Sequence, residues 1–110
     1  MAIILRFMTM MKKSINVDLN VKSQPGILDK RNSSYVLKCL DIASDKSENG
    51  EFAGIITGPV CKAIIAESGI EFTGHTEYLQ QRTHTKTVVM LLGCKELNVA
   101  LVTTHLALKD

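Results

Sequence analysis

An α/β domain with a mixed sheet is the fold class that this 110-residue sequence predicts. Apolar runs of strand type alternate with helix-type stripes in the order βαβα. Two further β-rich runs close the chain around a four-residue turn. The turn pairs Pro25-Gly26, Asn49-Gly50 and Gly58-Pro59 fall between these segments and not inside them. The length suits one small domain, which buries roughly 60–70% of its unfolded surface on folding.

Residues 14–24 place Ile15, Val17, Leu19 and Val21 on alternate positions, so the period of two predicts a half-buried first strand. Before them, MAIILRFMTMMKK carries its apolar part ahead of its lysines, the reverse of a secretory signal, and is too short to span a bilayer. It reads as a frayed or strand-like start. After Pro25-Gly26, Asn32, Ser33 and Ser34 offer N-caps for a helix to about Ser47. Val36, Leu37, Leu40 and Ala43 form its buried stripe, and Cys39 lies off that stripe. Phe52 to Thr57 is nearly all apolar, as expected of a strand covered on both faces.

Pro59 suits the first position of a helix over Val60 to about Ser68, with Gly69 closing it. A strand, a glycine turn and a helix start can together hold an anion on backbone N–H groups, although a plain βα connection has the same sequence signature. Thr76 is placed to cap a short helix with Glu77 in its first turn, ending before Thr87. Thr87–Leu92 and Leu97–Thr103 then flank Gly93-Cys94-Lys95-Glu96 as a hairpin.

Composition is that of an ordinary globular chain: 45% hydrophobic, 22% charged and no tryptophan. The net charge is +2, and no basic run is interleaved with aromatics, so nucleic acid is not an expected partner. No membrane partner is expected either. Cys39, Cys61 and Cys94 form no CxxC pair, and an odd count without a secretory signal points to reduced thiols in a cytoplasmic protein.

Two histidine clusters bracket the last third of the chain. FTGHTE spans 72–77 and TTHLAL spans 103–108, with His75 and His105 thirty residues apart. Histidines at strand ends are common in soluble domains, so the clusters alone are a modest signal. In order, GEFAGIITGPVCK, GIEFTGHTEYL, VVMLL and LNVALVTTHLAL resemble the 4-hydroxythreonine-4-phosphate dehydrogenase family of pyridoxal 5′-phosphate (vitamin B6) biosynthesis. The resemblance covers about residues 25–110, leaving 1–24 as an N-terminal extension and first strand.

The resemblance implies a partial isocitrate/isopropylmalate dehydrogenase-like fold, a homodimer with its cleft shared across the interface, and a phosphorylated hydroxy amino acid as substrate. It implies NAD-dependent oxidation of 4-phosphooxy-threonine followed by loss of carbon dioxide. It also implies a divalent metal (zinc, cobalt or magnesium) on three histidines, which polarises the oxygen being oxidised. His75 and Thr76 match the family's substrate-contacting pair, and His105 matches the first metal ligand. Thr103 or Thr104 is then a candidate to orient His105. Gly58 and Lys62 lie in the segment resembling TGPV-x-K, where Lys62 is a candidate phosphate contact. The family commonly has histidine or asparagine where Cys61 stands, and His84 matches no motif position.

The family's glycine- and proline-rich opening motif and its second and third metal-binding histidines have no counterpart here. The expectation is therefore a central piece of the enzyme, binding metal weakly and inactive by itself. A non-catalytic remnant or interaction module of the same fold is the alternative. So is a small α/β domain holding phosphate at Gly58-Pro59. With apolar strands lacking partner layers, self-association is expected.

Overall fold

The computed structural model describes Ala2–Ile3 and residues 14–103. The described elements are, in order, β1 (Ala2–Ile3), a 3-10 turn (Lys30–Asn32), α1 (Ser33–Glu48), β2 (Ile56–Thr57), α2 (Lys62–Glu67), α3 (His75–Arg82), β3 (Met90–Gly93) and β4 (Asn98–Leu101). The class is mixed α and β, as expected. The described strands do not join into one mixed sheet, however. They form two separate antiparallel pairs, β1 with β2 and β3 with β4.

The α1 stripe is where the sequence placed it. Leu37, Leu40 and Ala43 are buried, and Val36 packs beside them. Leu37 and Leu40 meet Ile65 from α2 and Phe72 from the segment before α3, with Val60, Ile64, Ile70 and Tyr78 around them. This small core ties the three helices together. Ser33 is buried at the head of α1, where its hydroxyl donates to the Ile64 carbonyl at 3.2 Å. Asn49 and Gly50 end α1, with Gly50 at φ 78°, and the Phe52 N–H returns to the Lys46 carbonyl at 2.8 Å.

Residues 14–24 form no regular strand. Their alternation survives in part, since Ile15, Val17 and Val21 are half-buried, but Leu19 is 42% exposed. Asparagine side chains take the place of a neighbouring strand. The Val21 N–H donates to Asn32 Oδ1 and its carbonyl accepts from Asn32 Nδ2, each at 3.0 Å. Asn20 Nδ2 donates to the Arg31 carbonyl at 2.6 Å and to Ser34 Oγ at 2.7 Å. Asn32 occupies the N-cap of α1 without a capping bond, because its side chain is committed to Val21. Pro25-Gly26 turns the chain as expected, with Gly26 at φ 79° and the Ile27 N–H on the Gln24 carbonyl.

Three further boundaries move. Only Ile56 and Thr57 of the 52–57 run are strand, and Ile56 is 56% exposed and not covered on both faces. The following helix begins at Lys62, so Pro59 precedes it by three residues instead of opening it. Gly69 closes α2 at φ 81°, as expected. The hairpin strands are shorter than Thr87–Leu92 and Leu97–Thr103, and the loop is 94–97, closed by the Cys94 N–H on the Leu97 carbonyl. Gly93 thus pairs with Asn98 and belongs to the ladder, not to the turn.

Candidate active site at the head of α3

Gly74, not Thr76, is the N-cap of α3, and His75 is its first residue. Gly74 is buried, and a Cβ there would stand 2.8 Å from Glu77 Oε2 and 3.4 Å from Lys62 Nζ. The tips of two flexible side chains crowd that point, and they can swing aside from an added Cβ. The same crowding brings Lys62, the first residue of α2, to the head of α3. Glu77 lies in the first turn, where a carboxylate suits the positive end of the helix dipole.

The His75 imidazole stands edge-on to Phe72, with ring centroids 5.9 Å apart and planes at 83°. Its Nε2 is buried and has no hydrogen-bond partner among the described residues. A buried ring nitrogen without a partner carries an unmet desolvation cost of about 1–3 kcal/mol. His75 borders a recess of about 10 Å³ with Tyr35, Val36, Cys39 and Leu40 of α1 and Thr57, Gly58 and Val60 of the β2–α2 connection. That volume is close to what one water needs. Within the recess, charge interaction with Cys39, followed by a hydrogen bond to it, holds the Tyr35 phenol above its ordinary value.

Gly58 and His75, seventeen residues apart in the chain, therefore share one recess, and Lys62 reaches the edge of the same helix start. Thr76 is half-buried in the first turn of α3. His105 and Thr104 lie outside the described residues, as does most of TTHLAL. His84 is exposed and takes φ 52°, a left-handed conformation at the end of α3. The anion reading of the Gly58-Pro59 turn loses its helix: α2 starts later and has only six residues.

Sequence reasoning missed the groups behind His75. Cys39, assigned no role from its position off the stripe, lines the recess. Asp41 and Asp45 of α1 face Tyr78 and Arg82 of α3. The Tyr78 hydroxyl donates to Asp41 Oδ1 at 2.6 Å, and Arg82 reaches Asp41 at 3.1 Å and Asp45 at 2.7 Å. Burial, then the bond to Asp41, pushes the Tyr78 phenol up to about 12. The readable signal was the shared spacing of four on both helices.

The three cysteines are free thiols, with Cys39 half-buried and Cys61 and Cys94 exposed. Among the described residues, no group of three or more His, Cys, Asp or Glu is placed to hold a metal, and no helix is long and apolar enough to cross a membrane.

The family profile described as "Pyridoxal phosphate biosynthetic protein PdxA" matches residues 5–110. A protein of Marinobacter nauticus named 4-hydroxythreonine-4-phosphate dehydrogenase is 56% identical over 85 residues, covering 77% of this chain and 25% of that protein. Its namesake from Pseudomonas putida is 55% identical over 86 residues, covering 78% and 26%. The Enterobacter sp. (strain 638) protein of the same name is 52% identical over 93 residues, covering 84% and 28%. The chain thus spans about a quarter of the length of these relatives and, matched along nearly all of its own length, belongs to the PdxA family of pyridoxal phosphate biosynthetic proteins.

Proposed function

We propose that this chain supplies part of the substrate site of an NAD-dependent 4-hydroxythreonine-4-phosphate dehydrogenase. The enzyme oxidises the alcohol of 4-phosphooxy-L-threonine, and the product then loses carbon dioxide. Family membership and the names of the relatives support this reading. The observation that carries it within the chain is the unpartnered His75 Nε2 in the recess it shares with Gly58. In this reading His75 and Thr76 offer the substrate an imidazole nitrogen and a hydroxyl at the start of α3. Lys62, an ammonium at the edge of that site, draws the phosphate by charge. The isocitrate/isopropylmalate dehydrogenase-like fold, a homodimer and a cytoplasmic setting belong to the same proposal.

A divalent metal (zinc, cobalt or magnesium) belongs to the proposal through His105. The described residues do not by themselves make a metal site, nor does the recess beside His75 have room for a dinucleotide. No chemical step is therefore assigned to the described residues beyond binding and orienting substrate.

Calorimetric titration of the purified chain with 4-phosphooxy-L-threonine tests the reading. Binding is expected to weaken about tenfold in His75→Ala, the scale of one hydrogen bond to a buried group. Unphosphorylated 4-hydroxythreonine should also bind more weakly. Equal affinity of wild type and His75→Ala contradicts the proposal, as does a chain that binds neither compound.

A further inference from the structure

The stripe that carries His75 continues through Tyr78 and Arg82, spaced three and seven residues on, so all three share one face of α3. That face lies along α1. His75 borders Tyr35, Val36, Cys39 and Leu40, Tyr78 is bonded to Asp41, and Arg82 bridges Asp41 and Asp45. The two helices therefore run side by side in the same direction, with polar rungs following the histidine. The aromatic rings continue the line from the other side. Tyr78 packs on Phe72 at 5.6 Å, and Phe72 meets the His75 ring edge-on.

An eight-residue helix is marginal by itself, so contacts with its neighbours decide where its first residue sits. The apolar contacts of α3 to the core run through Tyr78, a half-buried residue, and α3 has no buried residue of its own. Its polar contacts to α1 are more directional. Arg82 uses two nitrogens on two carboxylates one helical turn apart, a geometry that fixes rotation and slide of one helix against the other. Asp41 and Asp45 would otherwise repel each other along α1. The Arg82 and Asp41 side chains are each about one-third exposed, so these pairs contribute more to orientation than to stability.

We propose that Tyr78 and Arg82, clamped on Asp41 and Asp45, are positioning residues that set where the His75 imidazole stands in the recess beside Gly58. The inference rests on the reading of His75 as a substrate contact. The clamp acts through helix placement: it holds the α1-facing side of α3 down, and the first residue of the helix follows.

The test is the His75 ring signal in NMR spectra of the full chain, labelled at histidine and first recorded without ligand. Tyr78→Phe keeps the ring on Phe72 and removes only the hydroxyl. It is expected to shift the His75 ring resonances and weaken the Phe72–His75 nuclear Overhauser effect. Affinity for 4-phosphooxy-L-threonine should fall about threefold to tenfold, the scale of one hydrogen bond. Asp45→Asn, at the more exposed end of the clamp, should move His75 in the same direction by less. Ser33→Ala is the control. It removes one hydroxyl hydrogen bond between α1 and α2, and is expected to leave His75 in place.

If Tyr78→Phe does not fold, Asp45→Asn decides the matter alone. His75 resonances that stay put in Asp45→Asn and in a folded Tyr78→Phe overturn the positioning role, as does an equal shift in Ser33→Ala. A wild-type chain that fails to bind substrate counts against the substrate reading only, because the ligand-free spectra decide the positioning independently.

Discussion

Tyr78 carries two loads: its ring packs on Phe72 and its hydroxyl donates to Asp41. Burial and that bond raise its pKa from 10.0 to about 12, so the fold favours the neutral phenol. The resulting stabilisation is fully present below the unfolded value near 10 and is lost as pH rises toward 12. Tyr78→Phe should cost about 0.5–1.5 kcal/mol near neutral pH. Urea unfolding at a series of pH values should show that difference shrinking above about 10, where the Tyr78 phenol of the unfolded wild type begins to ionise. Tyr35 titrates in both proteins and cancels in the comparison. A difference that stays constant through the alkaline range would remove the ionisation from the account.

Elements differ in how much of their placement is local. α1 was readable because a 16-residue helix shows several turns of its stripe, and Leu37, Leu40 and Ala43 are where the period puts them. Leu40→Ala should therefore cost about 2–5 kcal/mol by thermal or urea unfolding, as a buried leucine does. Gly69 was readable for a local reason too. It holds φ 81°, and a Cβ added there would meet nothing within 4 Å, so Gly69→Ala should cost about 1–2 kcal/mol from the backbone alone. The segment 14–24 was not readable as it folds, because its pattern says which residues face inward and not what satisfies its backbone. Asn20 and Asn32 settle that through partners eleven or more residues away. The start of α3 was misplaced by two residues for a similar reason. Thr76 has the side chain of a cap, but the helix already begins at His75, whose ring packs on Phe72 of the core, a tertiary contact. The family motifs named Gly58 and His75 separately, and their shared recess became visible only in the fold, whereas the clamp on Asp41 and Asp45 had no motif to announce it.

At the scale of the molecule, the helical core and the hairpin contrast sharply. The radius of gyration is 16.0 Å, against roughly 13 Å for a compact domain of this length. Val89, Leu91, Leu92, Leu97 and Val102 are each more than half exposed, and Val99 is 42% exposed. Leu92 and Val99 are cross-strand partners, so their side chains lie on one face of the hairpin. Apolar area of this kind drives association in water. Sedimentation across a concentration series is expected to show self-association that Leu92→Lys reduces. A wild-type chain that remains monomeric at every concentration contradicts that expectation.

The most direct test of the central claim, that the head of α3 is a substrate site, is a chemical-shift titration of the chain with 4-phosphooxy-L-threonine. Saturable shifts centred on His75 and Thr76 and extending to Gly58 and Lys62 are the predicted result. Shifts absent at every concentration, or confined to residues away from that helix start, contradict it.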